Sequence, residues 1–134
     1  MTRNLNEYLG SNYPTDQHRK MLESLYHDFP EFRKKTYIFR AVKNKVFPKI
    51  LRNKFVSACS SKEDVIYFVN KRRDKGYKYF LISREPVDCF DIFSFVDFIN
   101  AKYGPYLTSR YQDEKEVVFK FKTGNEWFTL ESID

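Results

Sequence analysis

The sequence predicts a single α+β domain in which helices come first and strands dominate the later part. The chain has 134 residues, and a typical domain has about 100–200. Apolar residues recur at helical spacing within residues 1–35. Runs rich in aromatic and β-branched residues, separated by polar or glycine-containing segments, recur within residues 36–134. We therefore expect N-terminal helices followed by a mostly antiparallel β core that carries further helices.

The first helix is predicted to begin at Thr15 or Asp16, either of which can cap its N-terminus, and to end at Pro30. Its apolar face comprises Met21, Leu22 and Leu25. A strand over residues 36–42 and a second over residues 54–59 follow. A capping box then predicts a helix that runs to about residue 73. The box has two candidate pairs, Ser60 with Glu63 and Ser61 with Asp64.

The remaining chain is predicted to contain further strands and one further helix. Residues 77–83 are predicted to form a strand, and a helix is predicted from about Asp91 to Gly104. That helix buries one apolar face made of Ile92, Phe95, Val96 and Ile99. Residues 116–121 and 127–131 are predicted as two strands of a hairpin, with the turn at residues 123–125.

Composition excludes several classes of protein. Hydrophobic residues make up 42% and aromatic residues 19% of the chain, which is enough to build a packed core and excludes intrinsic disorder. The longest apolar run covers residues 65–69, whereas a membrane-spanning helix needs about 20 residues. The first seven residues lack the apolar stretch of a signal peptide, and Cys59 and Cys89 form no C-x-x-C pair. We therefore expect a cytoplasmic protein that does not enter a membrane.

Well-known catalytic signatures are missing from the sequence. It contains no glycine-rich nucleotide loop, no H-E-x-x-H zinc motif and no G-x-S-x-G elbow, so no metal ligands are expected.

The charge distribution is uneven, since Arg33–Lys54 holds nine basic residues and no acidic one. This segment can face phosphates or an acidic partner, or can be an ordinary solvated face. Both interpretations stay open from the sequence.

Three short segments carry candidate chemistry. Arg40 lies inside an apolar strand, so its guanidinium needs a carboxylate, solvent or an anionic ligand. Ser57 lies within the next strand and is not needed as a helix cap. Glu114 and Glu116 form an E-x-E pattern, which places both carboxylates on one side of a strand. Each has a simpler explanation: a salt bridge for Arg40, a structural hydroxyl for Ser57 and a charged strand entrance for the E-x-E pair.

The order of these segments resembles the ADP-ribosyltransferases of the Arg–Ser–Glu class, and is most similar to the phage Alt/Mod-type enzymes. The resemblance covers about residues 36–131 and rests on the stretches Ile38–Val42, Phe55–Ser60, Lys78–Ile82 and Asp113–Phe119. It implies one ADP-ribosyltransferase-like domain over residues 1–134, with a helical part at 1–35 and a split, mostly antiparallel NAD-binding β core at 36–134. Two residues depart from the family pattern: Ala41 replaces the usual Gly, and Cys59 replaces the third-position Ser.

The resemblance also implies an activity and roles for individual residues. NAD would be the substrate, and ADP-ribose would pass to a macromolecule, with a protein arginine favoured. Glu116 matches the catalytic Glu that accepts a hydrogen bond from the ribose 2′-hydroxyl. Glu114 matches the residue that engages the acceptor nucleophile. Arg40 and Ser57 match the residues that bind NAD.

The acceptor loop before the E-x-E pair contains Tyr106 and Tyr111, which the resemblance assigns to acceptor recognition. The composition and the resemblance together suggest a phage protein that modifies a host or defence component in the host cytoplasm. Two alternatives stay open. One is a non-enzymatic phage inhibitor or nucleic-acid-binding protein that uses Arg33–Lys54. The other is an ADP-ribosyltransferase fold that has lost its activity.

Overall fold

A computed structural model describes residues 2–9, 14–44, 54–71, 76–103, 116–121 and 127–133. It is an α+β structure, as the sequence predicts, with four α-helices and seven strands among these residues. The helices are α1 (Thr2–Leu9), α2 (Asp16–Asp28), α3 (Lys62–Lys71) and α4 (Ile92–Tyr103). The strands are β1 (Arg33–Thr36), β2 (Phe39–Val42), β3 (Phe55–Cys59), β4 (Tyr79–Ser83), β5 (Val87–Phe90), β6 (Glu116–Lys120) and β7 (Phe128–Ser132).

The strands form one sheet in the order β1-β5-β6-β3-β2-β4-β7, and every observed pairing is antiparallel. Four ladders of four or five residue pairs make up most of the sheet: β1 with β5, β3 with β6, β2 with β4, and β4 with β7. Single residue pairs join these ladders, Phe90 with Val118 and Phe39 with Cys59. The sheet is therefore weakly joined at two places, and one of them lies between β2 and β3.

Both faces of the sheet are covered by apolar packing. Alternate residues of β6 enter different clusters, because Val118 packs with α1, α2 and α4 while Val117 and Phe119 pack on the other face. The second cluster contains side chains from β5, near one edge of the sheet, and from β7, at the other edge. None of the described helix residues belongs to that cluster, so it is built from strand residues and from residues that flank the strands.

Several predicted elements are confirmed with small shifts in their bounds. The helix predicted near Thr15 is α2, and Thr15 caps it by accepting a hydrogen bond from the His18 backbone N–H. The helix predicted from about Asp91 is α4, and its buried residues are the four expected from the sequence. Of the two candidate capping pairs, Ser61 is the one that accepts from the backbone of Asp64, at 3.2 Å.

Three expectations about the extent of the helical part and about the strands are wrong. The helical part does not extend to residue 35, because a 3-10 turn at Pro30–Phe32 leads directly into β1. Residues 36–42 do not form one strand, since Ile38 leaves the ladder and its backbone N–H donates to the Ser83 hydroxyl at 3.0 Å. The predicted hairpin is absent among the described residues, because β7 pairs with β4 whereas β6 lies between β5 and β3.

The apolar packing predicts a large difference between two phenylalanines of the same helix. Phe95 is fully buried and its ring contacts those of Phe29, Phe32 and Phe90, whereas Phe98 is 38% exposed. Phe95→Ala should lower the free energy of unfolding by about 3–5 kcal/mol, and Phe98→Ala should lower it by much less. Urea denaturation of both variants measures the difference. Equal losses would mean that α4 does not pack as described.

Candidate active site

Sheet topology brings three of the predicted site residues together. In the β3–β6 ladder Cys59 lies opposite Glu116, and Ser57 lies two residues further along β3, on the same face as Cys59. β2 meets β3 at the single pair Phe39 with Cys59, and Arg40 directly follows Phe39. Arg40, Ser57 and Glu116 therefore come from three adjacent strands at one end of the β3–β6 ladder.

The Arg40 side chain bridges the weak joint between β2 and β3. Its Nη1 donates a hydrogen bond to the backbone carbonyl oxygen of Ser57. Burial lowers the pKa of the Arg40 guanidinium, and the nearby Tyr8, Tyr77, Glu116 and Cys59 oppose this change. The contact adds a hydrogen bond between strands that share only one residue pair, and the Arg40 charge is close enough to lower the pKa of the Glu116 carboxyl.

The Glu116 carboxyl is buried and has a defined hydrogen-bond donor. The Tyr8 hydroxyl donates to Glu116 Oε2 at 2.6 Å, which is in the short range of bonds from a hydroxyl to a carboxylate. Burial raises the pKa of Glu116 to about 7, while the Tyr8 hydrogen bond and the charge of Arg40 act to lower it. Glu116 can therefore exchange a proton near neutral pH.

Tyr8 completes the cluster from the N-terminal helix. Burial, followed by the charge of Glu116, raises the pKa of its phenol well above the ordinary value, whereas Arg40 and a hydrogen bond with the Ser57 side chain lower it. Tyr8 is a site residue that sequence reasoning missed. Its spacing with Leu5 and Leu9 predicts a buried helix face, but nothing local indicates a partner 108 residues away.

Other predicted site residues lie outside the described part of the chain. Glu114 and the two acceptor-loop residues Tyr106 and Tyr111 belong to this group, and so does most of the basic segment beyond residue 44. Within the described portion, Arg33 donates to the Tyr26 and His27 carbonyl oxygens. Lys34 forms an ion pair with Asp91 at 3.1 Å. Part of the basic segment therefore has local partners.

A separate cavity of about 790 Å³ lies away from this cluster. Phe55 and Lys120 line it, and these two residues pair at the opposite end of the β3–β6 ladder from Cys59 and Glu116. Four residues of strand separate the two ends, about 13 Å at 3.3 Å per residue. Arg40, Ser57 and Glu116 do not line the cavity, so the cluster and the cavity are different features of the sheet.

The described residues set further limits on the chemistry. None of their helices is long and apolar enough to cross a membrane. In the same residues there is no group of three or more His, Cys, Asp and Glu side chains that could hold a metal ion. What the cluster offers is one carboxyl that ionises near neutral pH, one guanidinium and two hydroxyl groups. Such groups can bind a hydroxylated anion and stabilise a nearby positive charge.

Comparison with known proteins identifies no relative of this chain. No family model matches it, and neither a curated protein nor a solved structure matches it significantly. The function therefore has to be argued from the residues of the site.

The raised pKa of Glu116 predicts how stability changes with pH. Between pH 4.5 and 7 the folded protein holds a proton on Glu116 that the unfolded chain has released, so stability falls as pH rises through this window. The loss between pH 5 and 8 should be roughly 2–3 kcal/mol. Glu116→Gln should remove this component because it keeps the shape and cannot ionise. Urea denaturation at both pH values tests it, and an unchanged pH dependence in the variant would contradict the burial of this carboxyl.

Proposed function

We propose that this protein is a mono-ADP-ribosyltransferase that moves ADP-ribose from NAD to a target macromolecule, with a protein arginine as the favoured acceptor. One observation carries the proposal: the Tyr8 hydroxyl donates to the Glu116 carboxyl, and the Arg40 guanidinium, which donates to the Ser57 carbonyl oxygen, is close enough to lower the pKa of Glu116. Arg40, Ser57 and Glu116 are three of the four residues that the resemblance assigns to catalysis and NAD binding, and they come from three adjacent strands.

The chemistry of NAD cleavage explains why a carboxylate is needed. Breaking the bond between nicotinamide and ribose leaves positive charge on the ribose, as in the oxocarbenium-like transition state of glycoside hydrolysis. An ionised Glu116 would stabilise this charge and accept a hydrogen bond from the ribose 2′-hydroxyl. Burial raises the pKa of Glu116 to about 7, so the ionised carboxylate is accessible near neutral pH.

The remaining residues of the cluster would bind and orient NAD. The Arg40 guanidinium is a suitable partner for the pyrophosphate, because its fork of N–H donors matches phosphate oxygens. Ser57, whose side chain bonds to Tyr8, would contact the nicotinamide ribose. Glu114 would orient the nucleophile of the acceptor, and Tyr106 and Tyr111 would contact the acceptor itself. A phage origin and action on a host protein in the host cytoplasm remain part of this proposal.

A second candidate function is a non-enzymatic protein that binds nucleic acid or a host complex. It is favoured by the exposed residues Arg33, Lys34 and Lys35, which form β1 at the edge of the sheet. Phosphate binding through such residues weakens as salt rises. Salt-sensitive binding to generic DNA or RNA, together with no release of nicotinamide from NAD, would favour this alternative.

Substitution of the two glutamates of the E-x-E pair should have different effects on the rates of NAD hydrolysis and of transfer. Glu116→Gln removes the charge beside the developing cation, so both NAD hydrolysis and transfer to an acceptor should fall by roughly 10²–10³. Glu114→Gln should lower transfer far more than hydrolysis, because water needs no positioning by this residue. Nicotinamide release, measured with and without a small guanidine such as agmatine, separates the two effects.

A matched control is available on another strand. Glu131 is exposed on β7 and forms an ion pair with Lys62 at 2.7 Å, so Glu131→Gln makes the same chemical change two strands away from β2. It should leave both rates unchanged. Equal small losses in all three variants would show that the E-x-E pair is only a charged strand entrance, and the proposal would then be abandoned.

A further inference from the structure

The N-terminal helix covers the candidate site. Leu5, Tyr8 and Leu9 of α1 are at most 5% exposed. They pack in the same apolar cluster as residues of α2 and as Val118 of β6, and Val118 lies on the same face of β6 as Glu116. The side of Glu116 that faces this cluster is therefore occupied by α1, and a ligand cannot reach it there while α1 is in place.

The contact between α1 and Glu116 is polar as well as apolar. Tyr8 places a hydroxyl donor 2.6 Å from one carboxylate oxygen, in a partly buried setting. A ribose hydroxyl that bonded to the same carboxylate would also be an O–H donor at this distance. The phenol of Tyr8 thus presents to Glu116 the same group that a sugar ligand would present.

We propose that α1 is a lid over the site, and that a ligand hydroxyl reaches Glu116 by replacing the hydroxyl of Tyr8. This inference rests on the proposed function for the identity of the ligand, namely the ribose of NAD. One O–H donor replaces another in the exchange, so the carboxylate never remains without a partner. The closed lid keeps Glu116 hydrogen-bonded in the empty protein.

The size of α1 makes such a movement energetically reasonable. α1 has eight residues, and isolated helices shorter than about 12–15 residues are marginally stable in water. Its position therefore depends on its buried side chains and on the Tyr8 hydrogen bond rather than on its own helical stability. Terminal segments can open locally without global unfolding, and opening α1 would break its apolar contacts, its ion pair between Glu7 and His18 and the Tyr8 hydrogen bond. The sheet residues Arg40, Ser57 and Glu116 would stay in place when α1 opens.

Two tyrosine variants isolate the hydroxyl of Tyr8. Tyr8→Phe removes the donor and keeps the ring. Tyr26→Phe is the matched control, because Tyr26 packs against the same cluster and its contacts there are made by its ring. At pH 8, hydrogen exchange of the α1 amides should become at least tenfold faster in Tyr8→Phe, while amides of β3 and β6 keep their wild-type rates. Tyr26→Phe should leave α1 exchange unchanged.

Steady-state kinetics with NAD provide the second readout. If Tyr8 competes with the ligand, Tyr8→Phe should lower the KM for NAD several-fold without lowering kcat. A fall in kcat at constant KM would overturn the lid and would make Tyr8 a positioning residue for Glu116. Unchanged α1 exchange in Tyr8→Phe, or faster exchange in every element together, would also overturn it.

The two proposals can fail separately. If α1 exchange accelerates in Tyr8→Phe and none of the proteins releases nicotinamide from NAD, the proposed function is wrong and the Tyr8 contact still holds a movable helix. If the wild-type protein cleaves NAD and α1 exchange does not respond, the function stands and the lid is rejected.

Discussion

The partial burial of two ionisable groups, Arg40 and Glu116, is the constraint on which the rest of the structure depends. A charge withdrawn from water must find a partner or lose its charge. Arg40 is satisfied by the Ser57 carbonyl oxygen, and Glu116 by the Tyr8 hydroxyl and by a pKa raised to about 7. The order β6-β3-β2 in the sheet and the position of α1 are both needed for these contacts.

Apolar packing elsewhere in the structure offsets the unfavourable free energy of partly burying these ionisable groups. Buried side chains cover both faces of the sheet, and a set of phenylalanine rings on α4, β5 and the turn before β1 packs closely around Phe95. The weak joint between β2 and β3 has a single residue pair, and the Arg40 side chain bridges it through its hydrogen bond to the Ser57 carbonyl oxygen.

Local sequence signals predicted the helices better than the strands. Helix α4 was predictable because its apolar spacing and flanking residues are all local. Strand β5 was not predictable because Asp88 interrupts its apolar pattern. The pairing of β7 with β4 was not predictable because strand order depends on contacts distant in sequence. The same holds for the site: Arg40, Ser57 and Glu116 stand out as polar residues in apolar strands, whereas Tyr8 looks like an ordinary core residue of an amphipathic helix.

The central claim is that NAD binds at the cluster formed by Arg40, Ser57 and Glu116. The most direct test is titration of ¹⁵N-labelled protein with NAD, followed by amide chemical shifts. The account predicts saturable shifts concentrated in β2, in β3 near Ser57 and in β6 near Glu116, and it predicts that Arg40→Ala weakens them strongly. Shifts confined to the residues that line the cavity at the other end of the β3–β6 ladder, or no saturable shifts at all, would contradict it.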